Sequence, residues 1–282
     1  MRQGLRPITS QWAAPTQRMS HGLDIAIGSS PIRPPGARRI ACHDMSCQVT
    51  DMAHVGTDTG FAGLPRGTQA FLRDLEARND RGWFEANRAR YETDWLAPAR
   101  ALIAALATPC AVLEPPLRAE PKINGSIRRL QRDVRFSPDK RPFNARLHLV
   151  LAAGASFSRG MAVHLSIGPE SFDYGAGVWE LPPDALEAFR RRLAEPAGRA
   201  AFEETLAAAA EVGCTLAPPK LKRVPKGFAA APEWDHLIRR KGVVVRRAEP
   251  LPPPDWLFEP ACVAEMTHIV GRLHPVLRFL AG

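Results

Sequence analysis

An alternating pattern at residues 161–167 constrains the fold more than any other feature of the chain. Apolar residues occupy positions 161, 163, 165 and 167, and Ala162, His164 and Ser166 lie between them. A period of two is typical of a strand that buries one face. A second strand-like run occupies residues 146–151, and Gly154 and Gly160 bound the connection between the two. The pair of runs therefore predicts an antiparallel β-hairpin.

Segments with helical spacing flank the predicted hairpin on both sides. Before it, Thr68 is expected to cap a helix ending near Asn79, and a second helix begins near Trp83 with a break before Pro98. After it, four further helices are predicted: one capped by Asp184 with Glu187, one at residues 199–211, a short one from Trp234 that ends at Gly242, and one at residues 261–280. Helices and strands do not alternate strictly, so we expect an α+β fold. Residues 61–282 would form a single domain, with a mainly antiparallel sheet packed by helices.

Residues 1–60 differ in composition from the rest of the chain. Pro, Gly, Ser, Thr and Arg dominate there, and no helical or alternating pattern persists. This composition predicts a disordered tail. A targeting segment and a mis-assigned translation start, with Met45 or Met52 as the true beginning, are the two explanations. The second is favoured because the tail has no amphipathic helix.

The cysteines and the hydropathy pattern bear on location. The five cysteines are odd in number and widely spaced, at positions 42, 47, 110, 214 and 262. They form neither a disulfide framework nor a structural zinc pattern, so we expect a cytoplasmic protein. No stretch approaches the 18 or so consecutive apolar residues of a membrane span, so no membrane association is expected.

The segment from Lys122 to Arg146 concentrates the positive charge of the chain. It holds eight Lys and Arg residues against two Asp, a net charge of +6, while the whole chain carries +9. We call this the basic segment. A chain with this balance favours anionic partners, and a dense cationic stretch folds most readily when it meets an anion or a partner carboxylate.

Six residues of the basic segment are candidate ligand-binding residues: Arg132, Asp133, Arg135, Ser137, Asp139 and Lys140. Arginine binds phosphate or carboxylate through two parallel hydrogen bonds, which lysine cannot reproduce. Asp133 lies between two arginines and is placed to orient one of them. An internal salt-bridge network that pins the loop would use the same side chains, so both interpretations stay open.

Four residues elsewhere complete the candidate set. Lys222 and Lys226 belong to a second loop rich in Lys and Arg, which is expected to line the same cleft as the basic segment. Trp83 and Trp179 lie near glycines, which often mark close backbone approach, and either flank a ligand ring or pack in the core.

Two histidines, His148 and His164, fall on the predicted strands. A hydrogen-bonded structural role is favoured over a catalytic base for each. No acidic residue lies at metal-ligand spacing from them, and we expect no metal site. The chain also lacks a P-loop and the G-x-G-x-x-G motif, so no cofactor is expected.

Four segments resemble a known family. They are Phe71-Leu72 through Asn79 and Trp83-Phe84 with Asn87, Tyr91 and Pro98; Arg132 to Lys140 with Pro142-Phe143; Gly175-x-Gly177 and Trp179 before a helix with Arg190; and Leu221 to Phe228. Over residues 61 to 280 the chain resembles the family called domain of unknown function 2461. The resemblance implies a single α+β domain, and this family of bacteria and fungi has no established activity. Phe143 stands where the family often has Tyr. Arg128 and Arg129 precede the motif and are expected to be peripheral.

Three hypotheses on function follow. The first is a site for a small phosphate- or carboxylate-bearing ligand, held by Arg132, Arg135 and Lys140, either in an enzyme or in a binding protein. The second is a nucleic-acid-binding module that uses the same basic surface along phosphates. The third is a non-catalytic structural protein whose motif is an internal salt-bridge network. The sequence favours the first, and it indicates neither a reaction nor an oligomeric state.

Overall fold

A computed structural model describes residues 60–228 and 234–282. The predicted tail, apart from Gly60, lies outside the described residues. The described part contains a six-stranded antiparallel sheet and helices packed against it, which confirms the predicted α+β class.

The sheet has the strand order β1-β2-β3-β4-β6-β5, and every neighbouring pair is antiparallel. The strands are β1 (Leu117–Arg118), β2 (Leu147–Ala153), β3 (Met161–Ile167), β4 (Phe172–Val178), β5 (Cys214–Leu216) and β6 (Val243–Arg247). The predicted hairpin is β2–β3, whose register runs from Leu147 opposite Ile167 to Ala153 opposite Met161.

The helices precede and follow the central strands. They are α1 (Arg66–Ala77), α2 (Arg81–Ala86), α3 (Arg88–Arg90), a π-helical segment (Tyr91–Leu96), α4 (Ala97–Ala111), α5 (Pro183–Ala194), α6 (Pro196–Glu211), α7 (Asp235–Ile238), a 3-10 helix (Asp255–Phe258) and α8 (Cys262–Ala281). Helix α8 packs on β3 and β4, and α4 packs on β1 and β2. The helices therefore cover one face of the sheet.

The strand alternation divides the sheet into a first and a second face. Leu149 of β2, Leu165 of β3 and Tyr174 of β4 point to the first face and belong to the main core with the helices. The second face carries the intervening residues, which are His148, Val150 and Ala152 of β2; Ala162, His164 and Ser166 of β3; Asp173, Gly175 and Gly177 of β4; and Val244 and Arg246 of β6. Its apolar part is a small separate cluster of Val150, Ala152 and Ala162 with Phe157. No described helix contributes a residue to that cluster.

Two predicted helix starts were wrong by two or three residues. Helix α1 begins at Arg66 after Pro65, and Thr68 lies inside it, where its hydroxyl donates to the carbonyl of Asp94. Helix α5 begins at Pro183, and no side chain caps it. Proline has no N–H to satisfy and its φ suits the first helical turn, so it can begin a helix in place of a capping side chain.

Strand β4 was not recognised as a strand from its sequence, because Gly175 and Gly177 weaken the pattern. Glycine is required there by close packing. A Cβ on Gly175 would lie 2.4 Å from the carbonyl oxygen of Val245, and one on Gly177 would lie 2.0 Å from that of Val243. The two glycines let β6 lie directly against β4.

Candidate functional site

The middle of the basic segment, residues 132–141, forms ion pairs with itself, and we call it the basic loop. The guanidinium of Arg135 donates to both carboxylate oxygens of Asp133, at 3.0 and 2.7 Å, and its side chain is 77% exposed. Arg132 donates through Nη1 to Oδ2 of Asp139 at 2.7 Å. These two arginines and two aspartates, predicted to bind a ligand, bond to one another in pairs.

Asp139 has a second arginine partner. Arg141 donates to it through Nε at 3.1 Å, through Nη2 at 2.9 Å and through its backbone N–H at 3.0 Å. The hydrogen bonds from Arg141, with a further one from Arg132, hold the pKa of Asp139 well below its ordinary value. The side chain of Arg135 lowers the pKa of Asp133 to about 2 in the same way. Both carboxylates are thus strongly committed to internal partners.

Lys140 and Ser137 also bond within the loop. The Nζ of Lys140 donates to the carbonyl of Val134 at 3.1 Å, and the buried Ser137 donates its backbone N–H to the same carbonyl at 3.3 Å. The large apolar side chain of Phe136 is 73% exposed. It lies beside Arg135, whose guanidinium carbon is 5.8 Å from the centroid of the Phe136 ring. The loop therefore presents a cationic edge with one aromatic ring to solvent.

The neck of this loop is anchored to the first helices. The side chain of Asn79 donates to the carbonyl of Phe143 and accepts from its N–H, both at 3.0 Å. The ring of Phe143 stacks on Phe84 at 4.4 Å. Trp83, proposed to flank a ligand, is partly buried and packs on Phe71 at 5.8 Å. These contacts give Phe143 a packing role that needs no phenolic hydroxyl.

Lys222 and Lys226 lie in the connection between β5 and α7, and Trp179 directly follows β4. The loop of Lys222 is held by Arg239, which donates to the Lys222 carbonyl at 3.4 Å. The carbonyl of Trp179 accepts from Lys220 at 3.0 Å. Lys226 is exposed and lines a groove of about 830 Å³ along α5. Among the described residues, no hydrogen bond or ion pair joins Lys222 or Lys226 to Arg132–Lys140.

The two ends of the basic segment, in contrast, reach the second face of the sheet. Arg128 donates its backbone N–H to the carbonyl of His148 at 2.9 Å, and its guanidinium donates to the carbonyl of Phe157. Arg146 donates through Nε to the hydroxyl of Ser166 at 2.7 Å. Arg128 was expected to be peripheral, yet it is partly buried because its segment lies along β2.

Polar residues gather at one end of the second face. His148 and His164 share a hydrogen bond of 3.0 Å between Nε2 and Nδ1. Asp173 lies directly across from Ser166, and Arg246 lies across from Gly175. We call this group the polar end; it consists of Arg128, Arg146, His148, His164, Ser166, Asp173 and Arg246. The apolar cluster of Val150, Ala152, Ala162 and Phe157 adjoins the polar end on the same face, and the guanidinium of Arg128 reaches the carbonyl of Phe157.

Burial sets the protonation of the polar end. Desolvation lowers the pKa of His148 well below its ordinary value and lowers that of His164 to about 4, with the charge of Arg128 acting in the same direction. Both rings are therefore neutral at pH 7, so one can donate the shared hydrogen bond and the other accept it. Burial also lowers the pKa of Arg128 and of Arg146, whose guanidinium groups are taken from water without a carboxylate within ion-pairing distance among the described residues.

Asp173 supplies the carboxylate of the polar end, and it is buried. It is 7% exposed, and its Oδ1 accepts no hydrogen bond from the described residues. Burial raises the pKa of Asp173, and the charge of Arg146 opposes that rise. The polar end thus combines guanidinium donors, neutral imidazoles, one hydroxyl and one carboxylate.

Sequence reasoning identified the two histidines as strand residues. The candidate ligand-binding residues did not include Arg128, Arg146, Ser166, Asp173 or Arg246, although Arg246 was part of the basic stripe in the nucleic-acid hypothesis. The signal for Ser166 was present, because it shares the alternating face of β3 with His164. Asp173 and Arg246 lie on β4 and β6, whose register depends on tertiary pairing. Their convergence could not be read from spacing alone.

Two further searches of the described residues bear on function. No group of three His, Cys, Asp or Glu side chains among them is placed to hold a metal ion. No helix in residues 60–228 or 234–282 is both long and apolar enough to span a membrane.

Comparison with known families places the chain. Residues 67–279 match the family described as conserved hypothetical protein (DUF2461), and the chain belongs to this family. The match confirms the resemblance carried by the four sequence segments. No curated protein and no solved structure matches the chain.

Proposed function

We propose that this member of the DUF2461 family binds a small ligand bearing a phosphate or carboxylate group at the polar end of the second face. The supporting observation is that Arg128 and Arg146 are partly buried there and form no ion pair with described residues. Removing a guanidinium from water without an anionic partner costs several kcal/mol. A bound anion would offset that cost through charge-assisted hydrogen bonds.

The contrast with the basic loop supports this choice of site. Arg132, Arg135 and Arg141 each have a carboxylate partner within 3 Å. A ligand anion bound there would have to displace Asp133 or Asp139 from geometries that already satisfy the guanidinium donors. At the polar end, Arg128 and Arg146 form no ion pair with a described residue, and Asp173 acts on Arg146 only through its charge.

In this proposal, the basic loop holds the two ends of the basic segment in position. Its neck is closed by pairing of Gln131 with Phe143 and by a bond from the Arg132 N–H to the carbonyl of Pro142 at 2.8 Å. Closing the neck fixes the two ends of the segment, and these ends carry Arg128 and Arg146. The internal ion pairs would therefore stabilise the loop, and the closed loop would position the two arginines that bind the anion.

The test is a binding screen by thermal shift, followed by calorimetry, with inorganic phosphate, phosphate esters and short organic acids. Arg146→Gln and Arg128→Gln should each weaken the binding of a hit by roughly 10- to 100-fold, the range expected for a lost hydrogen bond to a charged group. Arg135→Gln is the matched control, because it removes an exposed and self-paired guanidinium. It should leave affinity unchanged.

The opposite pattern would place the ligand in the basic loop. Loss of binding in Arg135→Gln and Lys140→Gln, with Arg146→Gln unaffected, supports the site at Arg132–Lys140 and contradicts the polar end. Strongly salt-dependent binding of single-stranded RNA or DNA, without binding of small anions, supports the nucleic-acid hypothesis. The exposed Phe136 ring beside Arg135 would then be the stacking platform. Absence of any ligand supports the structural hypothesis.

A cytoplasmic location forms part of the proposal. Cys110, Cys214 and Cys262 are free thiols buried in the core, and burial raises the pKa of each to about 12. Buried protonated thiols are compatible with a reducing compartment. Fractionation of cells that produce the tagged protein would test this directly.

A further inference from the structure

The carboxylate of Asp173 is the feature of the polar end that the binding of an anion leaves unexplained. Its Oδ1 is buried and accepts no hydrogen bond from described residues. Buried carboxylate oxygens in folded proteins nearly always accept one, and leaving one unmade costs about 1–3 kcal/mol. A second anion would not satisfy this oxygen, since both groups are acceptors.

The neighbours of Asp173 supply positive charge, and the backbone N–H of Tyr174 acts on its carboxylate, but Oδ1 accepts no hydrogen bond from the described residues. Ser166, directly across on β3, receives the Nε–H of Arg146. The charges of Arg146, Arg246 and Arg247 and a backbone N–H of Tyr174 all act to lower the pKa of Asp173, against the effect of burial. Arg246 approaches over Gly175, where a Cβ would lie 2.9 Å from its own Cβ. Asp173 therefore lies among cations, and the hydrogen-bond donor that its Oδ1 lacks would come from another molecule.

We propose, building on the anion site above, that the ligand is a hydroxylated small anion whose hydroxyl group donates to Oδ1 of Asp173. The acidic group of the ligand binds between Arg128 and Arg146, and the hydroxyl reaches the neighbouring strand. Hydroxy acids and the phosphate esters of polyols have both groups within one short molecule. An ammonium donor fits less well, because Arg146 and Arg246 would repel it.

A hydrogen bond from the ligand hydroxyl to Asp173 predicts a measurable difference in affinity between hydroxylated and deoxy anions. A site built around a buried acceptor binds an analogue that lacks the donor more weakly, because the acceptor stays unsatisfied. The expected ratio of dissociation constants between the deoxy and hydroxylated anion is roughly 5- to 100-fold.

The experiment compares matched ligands by calorimetry on the full chain. Glycerol 3-phosphate is compared with propyl phosphate, and lactate with propanoate, so that the two arms separate phosphate from carboxylate recognition. The hydroxylated member should bind more tightly in whichever arm binds. In Asp173→Ala, the two members of that arm should bind with nearly equal affinity, because the acceptor is gone.

The outcomes separate this inference from the proposed function. Binding of both members with equal affinity to the unaltered protein overturns the hydroxyl contact and leaves the anion site standing. Failure of all four ligands to bind overturns both. If Asp173→Ala does not fold, the comparison in the unaltered protein still decides the matter, and Asp173→Asn, which keeps an acceptor oxygen, should retain part of the discrimination.

Discussion

Replacing Gly177 by alanine should destabilise the fold much more than replacing Gly154, although both glycines have a positive φ. The φ angles are +129° at Gly177 and +99° at Gly154, so alanine meets backbone strain of about 1–3 kcal/mol at either position. The difference lies in the surroundings. A Cβ on Gly154 meets nothing within 4 Å, whereas one on Gly177 would lie 2.0 Å from the carbonyl oxygen of Val243.

That oxygen belongs to β6, so it can withdraw only if β6 moves away from β4. Gly177 pairs with Val244 and Val178 pairs with Val243, and separation there breaks backbone hydrogen bonds and loosens the buried valines. Two lost hydrogen bonds with partial loss of packing add roughly 2–4 kcal/mol to the strain. Gly177→Ala should therefore unfold at a clearly lower urea concentration than Gly154→Ala.

Urea unfolding followed by circular dichroism measures both variants against the unaltered protein. Gly154→Ala is the matched control, because it carries the strain without the close contact. Equal losses of free energy in the two variants would refute the direct contact of β4 with β6. It would also remove the reason for placing Arg246 beside Asp173, since that placement depends on the same strand pairing.

Two further predictions concern a buried arginine and the histidine pair. Arg190→Met should lower the free energy of unfolding by about 3 kcal/mol, because its guanidinium, 9% exposed, donates to two backbone carbonyls at the end of α7 and just beyond it. Arg191→Ala, at a side chain that is 75% exposed, should change it by less than about 0.5 kcal/mol; similar losses in the two variants would contradict this assignment. An unfolded histidine binds a proton near pH 6.5, whereas His164 in the folded protein has a pKa of about 4. The contribution of the histidine pair to the free energy of unfolding should therefore be complete above pH 6.5 and be lost toward pH 4, by about 3 kcal/mol from His164 alone. Urea unfolding between pH 4 and pH 6.5 should show the same fall in stability in the control variant His236→Gln, whose histidine is exposed. If a His148→Gln/His164→Gln variant still showed this fall, the histidine pair would not be its cause.

The sequence was sufficient for the parts of the fold in which local pattern and tertiary structure agree. The period-two alternation at 161–167 became β3, and the expected break before Pro98 became the π-helical segment Tyr91–Leu96. It was insufficient for β4, where glycines serve the packing of β6 and remove the apolar signal. Helix starts at Arg66 and Pro183 were displaced because proline can begin a helix without a capping side chain.

The candidate site was less predictable than the fold, because it depends on which charges pair. Counting charges located the basic segment but did not decide between ligand binding and internal ion pairs. The polar end draws residues from β2, β3, β4 and β6 and from both ends of the basic segment. Only the strand register brings Asp173 beside Ser166 and Arg246 beside Gly175.

A local signal nevertheless separates the two classes of arginine. Arg135 and Arg141 each follow an aspartate by two residues, and in both cases the aspartate accepts the backbone N–H as well as the guanidinium of the arginine. Such turns are a known property of Asp and Asn. Arg128 and Arg146 are preceded at the same spacing by Ser126 and Asn144, which carry no charge. The repeated Asp-x-Arg turns thus pair Arg135 and Arg141 with neighbouring carboxylates, whereas the arginines at the two ends of the segment form no ion pair with the described residues.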